Sequence, residues 1–195
     1  MARPISGGID RRAVLGGLAG LGVATPAAAQ QAGMSGRTAH TFSFAGLEGG
    51  DIMMSSFAGR PILVVNTASF CGFSSQLGGL QTQWARLSPR GLAMLGVPSN
   101  DFGGQEPGPP AETAQVARAH GVTFPLAAKA RVVGPEAHPF YRWAAAERPR
   151  ETPRWNFHKY LVGIDGGIVA VFPTSTDPLD ARITVAVERE LARRG

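Results

Sequence analysis

Twice between residues 62 and 120 the chain passes from a short, wholly apolar run into an amphipathic one. Ile62-Leu63-Val64-Val65 leads through a Ser- and Gly-containing turn into Leu77, Leu80, Trp84 and Leu87, and Gly91-Leu92-Ala93-Met94-Leu95-Gly96-Val97-Pro98 leads through a long turn into Ala111–His120. Turn-bounded, β-branched runs of this length read as strands buried on both faces, and apolar residues three and four apart read as one face of a helix. Ser74 and Ser75 are expected to cap the first helix, and Pro109 and Pro110 to open the second. Upstream, His40–Phe44 and Asp51–Met54, joined by a Gly-rich turn, predict a small hairpin. Downstream, Phe124–Ala128 reads as a short extended piece and Glu136–Ala146 as a helix. Lys159–Ile164 and Ile168–Phe172 around Asp165-Gly166-Gly167 form a second hairpin, and Leu179–Ala192 a last helix.

Strands separated by helices require a central sheet covered on both faces, and the closing hairpin adds antiparallel strands to it. The expected fold class is therefore α/β with a central mixed β-sheet flanked by helices on both faces, an order that matches a thioredoxin-like fold. In that fold a reactive cysteine stands where the first core strand meets its helix. Here that place is held by Cys71, the single cysteine of the chain. Unpaired N–H groups at a helix N-terminus favour an anion, and the nucleophilic form of cysteine is the thiolate. A single cysteine excludes an internal disulfide.

The first residues resemble an export signal. Asp10-Arg11-Arg12 precedes a mildly apolar run from Gly16 to Ala24 and the small residues Ala27-Ala28-Ala29. The paired arginines and Gly-rich core resemble a twin-arginine signal, so residues 1–29 are expected to be removed and the protein to reach the periplasm. The run is too short for a permanent membrane anchor. Residues 30–38 read as a flexible leader and 39–195 as one domain. The formal charge of +5 falls to +3 with the loss of Arg3, Arg11, Arg12 and Asp10, too little to argue for nucleic acid. His40, His120, His138 and His158 are scattered without ligand spacing, and neither a metal nor another cofactor is expected.

Three segments carry a closer resemblance. Asn66-Thr67-Ala68-Ser69-Phe70-Cys71-Gly72-Phe73-Ser74, the stretch Leu95–Gly108 with Asn100-Asp101-Phe102-Gly103-Gly104-Gln105-Glu106-Pro107, and Trp155-Asn156-Phe157-His158-Lys159-Tyr160-Leu161 are similar, in order, to the motifs of the glutathione peroxidase family. The resemblance implies a thiol-dependent peroxidase in which Cys71 is the peroxidatic residue and Gln105, Trp155 and Asn156 complete its catalytic tetrad. Amide and indole N–H groups suit such a role, because they hydrogen-bond a thiolate and a departing oxygen without taking a proton. The backbone N–H groups of Gly72 and Phe73 are expected to add to the same hole.

The sequence also departs from the family. Many members carry a resolving cysteine in the helix after the Gln motif, and the matching residue here is Val116. The oxidised thiol must then be reduced from outside, by glutathione or a periplasmic dithiol protein. Ser99 stands where many members have a cysteine, and Asp101 replaces a common Gln. The short stretch from Tyr141 to Trp155 resembles monomeric members, whose open site admits lipid hydroperoxides. Arg142, Arg148, Arg150, Arg154 and Lys159, against Glu147 and Glu151, form a basic stretch that could steer acidic thiols or head groups. Two further readings share the thiol: a redox sensor without turnover, and a cluster carrier, since Cys71-Gly72-Phe73-Ser74 also spells the signature of monothiol glutaredoxins.

Overall fold

The computed structural model describes residues 1–2 and 36–194. The chain divides into two units, Met1–Gly33 and Met34–Gly195, and the second carries every element described. The export segment beyond its first two residues, and leader residues 30–35, lie outside the described residues.

A two-stranded antiparallel hairpin, β1 (Ser43–Ala45) and β2 (Asp51–Met53), precedes the main sheet. It is shorter than the expected hairpin, because His40 and Met54 lie in flanking 3-10 turns at Ala39–Thr41 and Met54–Phe57. Then come β3 (Ile62–Thr67), α1 (Gln76–Leu87), β4 (Ala93–Pro98), α2 (Pro110–Ala119), α3 (Pro139–Glu147), β5 (Lys159–Val162), β6 (Ile168–Phe172) and α4 (Ala181–Ala192). The sheet order is β4-β3-β5-β6, with β3 and β4 parallel and the other two pairings antiparallel. This is the mixed sheet of the thioredoxin-like fold.

Strand alternation divides the core. Ile62 and Val64 point to one face, with Leu95, Tyr160 and the α3 residues Phe140 and Trp143. Leu63 and Val65 point to the other, with Leu77 and Leu80 of α1, Met94, Leu161, and Ile183 and Val187 of α4. Each fully buried aliphatic side chain contributes about 1.5–3 kcal/mol, so the two faces together fix the register of the central strands. The 124–128 segment is extended only at Leu126 and Ala127, which bridge to Gly96 and Gly46 and so join the small hairpin to β4.

Helix starts differ from expectation. Ser75 already has helical backbone, and its hydroxyl caps nothing; the turn from Cys71 to Ser75 leads into α1 through three-residue backbone bonds such as Ser74 N–H to Cys71 O at 2.8 Å. α3 begins at Pro139 because the His138 side chain accepts from the Phe140 N–H at 3.2 Å. α4 begins at Ala181, where Asp180 accepts from the Arg182 N–H at 2.8 Å.

His158, just ahead of β5, is buried and set edge-on to the Tyr160 ring at 4.7 Å. Burial, and next the charge of Lys159, lower its pKa to about 4. The unfolded histidine takes a proton near its ordinary value of 6.5, whereas the folded one resists until about pH 4, so stability present above pH 6.5 is lost as the pH falls through that window. The loss is expected to be on the order of 3 kcal/mol. Urea unfolding between pH 7 and pH 4 should show this slope, and His158→Gln should flatten it.

Candidate active site

Three loops meet at one end of the main sheet. β3 and β4 are parallel and end together, with Thr67 paired to Pro98, while β5 runs the other way and starts at Lys159 opposite Val65. The loop after β3 therefore brings Cys71, the turn after β4 brings Gln105, and the turn before β5 brings Trp155 and Asn156.

Cys71 is 3% exposed, yet it stands between two open rings, Phe70 at 54% and Phe73 at 41%. Its Sγ accepts from the Phe73 N–H at 3.5 Å. Of the two backbone donors expected, only Phe73 makes this bond among the described residues. Gly72 does not serve close packing either: a Cβ there would meet nothing within 4 Å, so Gly72 itself borders open space.

Gln105 follows two consecutive left-handed glycines, Gly103 at φ +65° and Gly104 at φ +64°, a reversal that side-chain-bearing residues rarely adopt. Its backbone carbonyl accepts from the Phe70 N–H at 3.0 Å, and its side-chain Oε1 accepts from Asn156 Nδ2, also at 3.0 Å. Asn156 is fully buried, with a second, longer contact to Phe102 O at 3.4 Å. Trp155 is 38% exposed and packs against Phe102, ring centroids 5.9 Å apart. The structure thus joins Gln105 directly to Asn156 and ties both to the residue before Cys71. Among the described residues, no hydrogen bond runs from Gln105, Trp155 or Asn156 to the sulfur.

Sequence reasoning missed the residues that hold this arrangement. Asn66, on β3, accepts from the Phe157 N–H through its carbonyl at 2.6 Å and donates from Nδ2 to Trp155 O at 3.1 Å. Phe157 has φ +62°, a left-handed conformation costly for a residue with a Cβ. The Thr174 hydroxyl donates to Asn156 O at 2.7 Å, and Gln76 Nε2 donates to Thr174 O at 2.8 Å. The legible signal was Asn66 itself, a polar residue inside an otherwise apolar buried run.

Lys159, counted in the basic stretch that could steer acidic thiols or head groups, is instead fully buried, and its Nζ donates to Phe157 O at 2.7 Å, Gln76 Oε1 at 2.7 Å and Thr176 O at 2.8 Å. Burial, opposed by the charge of Asp177, lowers its pKa to about 8, so the ammonium with all three donors predominates at pH 7. Arg148 is likewise committed, to Ile168 O and Glu151, which leaves Arg142, Arg150 and Arg154 as the exposed cations. Asp101 accepts from the Val132 N–H at 2.6 Å and the Val133 N–H at 3.2 Å, and pins a neighbouring loop. Ser99 is buried and accepts from the Asp101 N–H at 3.3 Å. Val116 is half-buried against the core cluster that contains Leu63, Val65 and Met94.

The glutathione peroxidase family model matches residues 39–145. The chain belongs to the glutathione peroxidase family. It is 39% identical over 151 residues to the hydroperoxy fatty acid reductase gpx1 of a Synechocystis strain, a match covering 72% of this chain and 89% of the relative. It is also 39% identical over 144 residues to the glutathione peroxidase homolog BsaA of Staphylococcus aureus, covering 72% and 87%. The crystal structure of Trgpx in apo form is similar at 29% identity and a TM-score of 0.66, over 80% of this chain and 97% of that one. As a glutathione peroxidase the protein is an oxidoreductase that reduces a hydroperoxide at the expense of a thiol. No helix among the described residues is long and apolar enough to cross a membrane.

Replacing Lys159 by Met would strand three buried acceptors and release the Trp155–Phe157 turn. The expected loss is about 2–4 kcal/mol of stability, read as a lower urea midpoint, together with reduced peroxidase activity under conditions where the variant is still folded.

Proposed function

We propose that Cys71 carries the peroxidase reaction with Gln105, Trp155 and Asn156 around it. The Cys71 thiolate attacks one oxygen of the hydroperoxide; the O–O bond breaks, the sulfur keeps one oxygen as sulfenic acid, and the other leaves as water or alcohol after taking a proton. One external thiol then displaces water to give a mixed disulfide, and a second releases Cys71 as the thiol with formation of the external disulfide. Asn156 Nδ2 donates one hydrogen bond to Gln105 Oε1, and the Gln105 Nε2 and Trp155 indole N–H remain as donors for the departing oxygen.

The observation that carries this reading is the paired linkage of Gln105, to Asn156 by its side chain and to Phe70 by its carbonyl, beside a thiol with open space at Gly72. The exposed Phe70 and Phe73 rings give the thiol an apolar rim suited to organic hydroperoxides, in keeping with the name of the Synechocystis relative. Val116 leaves no internal resolving thiol, so glutathione or a dithiol protein supplies both electrons.

Cys71→Ser is expected to abolish peroxide-dependent thiol oxidation with hydrogen peroxide and with a lipid hydroperoxide alike. In the unaltered protein, multiple turnovers with glutathione or with thioredoxin identify the reductant and separate an enzyme from a sensor. Undiminished turnover by Cys71→Ser would overturn the mechanism.

We further propose that residues 1–29 direct export of the folded protein to the periplasm. Changing both Arg11 and Arg12 to Lys should leave the protein in the cytoplasmic fraction as an uncleaved chain, about 29 residues longer than the exported form. Unaltered export of that variant would exclude the twin-arginine route.

A further inference from the structure

The peroxide-reacting loop is held by a residue that the tetrad does not include. Glu106 is 2% exposed, and its side chain accepts three hydrogen bonds: from the Ser69 N–H at 2.6 Å, from the Ser69 hydroxyl at 3.0 Å, and from the Thr113 hydroxyl at 2.5 Å. Its own N–H donates to Asn100 Oδ1 at 2.8 Å, and Lys129 Nζ, also bonded to the Pro107 and Gly108 carbonyls, donates to its carbonyl at 2.9 Å. A buried carboxylate survives only when its oxygens are well satisfied, and here two of the three donors belong to a single residue of the cysteine loop.

The adjacent bond explains why this matters for reactivity. Gln105 accepts from the Phe70 N–H through its carbonyl at 3.0 Å, and Glu106 accepts from the Ser69 N–H through its side chain. Two consecutive residues of the Gln turn thus receive two consecutive amides of the Cys71 loop. This double clasp couples the loop that carries Cys71 to the turn that carries Gln105. Bonds to a charged acceptor are roughly twice as strong as neutral ones, which makes the Glu106 half the stiffer of the two.

We propose that Glu106 is a positioning residue for the peroxidase reaction, acting through Ser69 to hold Cys71 in register with Gln105. It rests on the reading of Cys71 as the thiol that reacts with peroxide. Gln at this position keeps the size but removes the charge and puts a donor where one oxygen accepts. Either the Ser69 N–H then loses its acceptor or the Ser69 and Thr113 hydroxyls must turn from donating to accepting, and the charge-assisted clasp is lost. Misplacement of reacting groups by about 1 Å can cost on the order of a hundredfold in rate. Alkylation by iodoacetamide, in contrast, needs the sulfur but not the Gln105 donor.

The test compares the rate of Cys71 oxidation by hydrogen peroxide with its rate of alkylation by iodoacetamide, each followed by intact mass on the full-length protein at pH 7. In Glu106→Gln, oxidation should slow by about tenfold or more while alkylation changes by less than about threefold. Thr113→Val removes the remote bond to the same carboxylate and should leave the peroxide rate within about threefold. Equal slowing of both reactions, no slowing of either, or equal slowing by Thr113→Val would overturn the proposal. Should Glu106→Gln not fold, Glu106→Asp keeps an acceptor but falls one methylene short of spanning Ser69 and Thr113, and the same divergence is expected of it. If Cys71 in the unaltered protein reacts with peroxide no faster than free cysteine, the peroxidase reading itself fails, whatever the variants do.

Discussion

Strand β3 is bonded along both edges, to parallel β4 and antiparallel β5, and the site depends on that double pairing. A parallel neighbour ends where β3 ends, and an antiparallel neighbour begins there. The pairing of Thr67 with Pro98 and of Val65 with Lys159 therefore delivers three loops, distant in sequence, to one end of the sheet. Alternate burial of Ile62 and Val64 on one face and Leu63 and Val65 on the other makes a one-residue slip prohibitive, because it would exchange the two cores.

Above that frame, polar groups do the fine placement. Asn66 receives the Phe157 N–H and reaches Trp155 O, Thr174 holds Asn156 O, Lys159 holds Phe157 O, and Glu106 holds Ser69. Each is a buried or half-buried group whose partner is a backbone atom of a site loop. Such bonds contribute about 1 kcal/mol each when made and cost more when broken. They therefore hold the left-handed Phe157 and the flanking amides with little tolerance. The thiol is recessed while the Phe70 and Phe73 rings on either side of it stay exposed.

The protein uses its cations in two ways. Lys159 is an internal tie whose three donors are all engaged, and Lys129 closes over three consecutive carbonyls of the turn that carries Glu106. Arg154, beside Trp155, stays exposed. A count of basic residues along residues 142–159 treats these alike, yet only the exposed ones can act on a charged partner in solvent.

The sequence by itself determined the order of elements, the mixed α/β class, the family, and the candidates Cys71, Gln105, Trp155 and Asn156, because these follow from apolar periodicity and short motifs read along the chain. It also placed Val116 where many members of the family carry a second cysteine. Helix starts were less legible: Ser74 and Ser75 have the right chemistry for caps, but the turn out of Cys71 is already helical and leaves their hydroxyls unused. Only the tertiary structure decided that Lys159 is buried, that Gly72 borders open space, and that Asn66 and Glu106 tie the loops together. The physical reason is that burial and hydrogen-bond partnership are properties of pairs brought together across the fold, such as Ser69 with Glu106 or Asn66 with Trp155. Local sequence records only one member of each pair at a time.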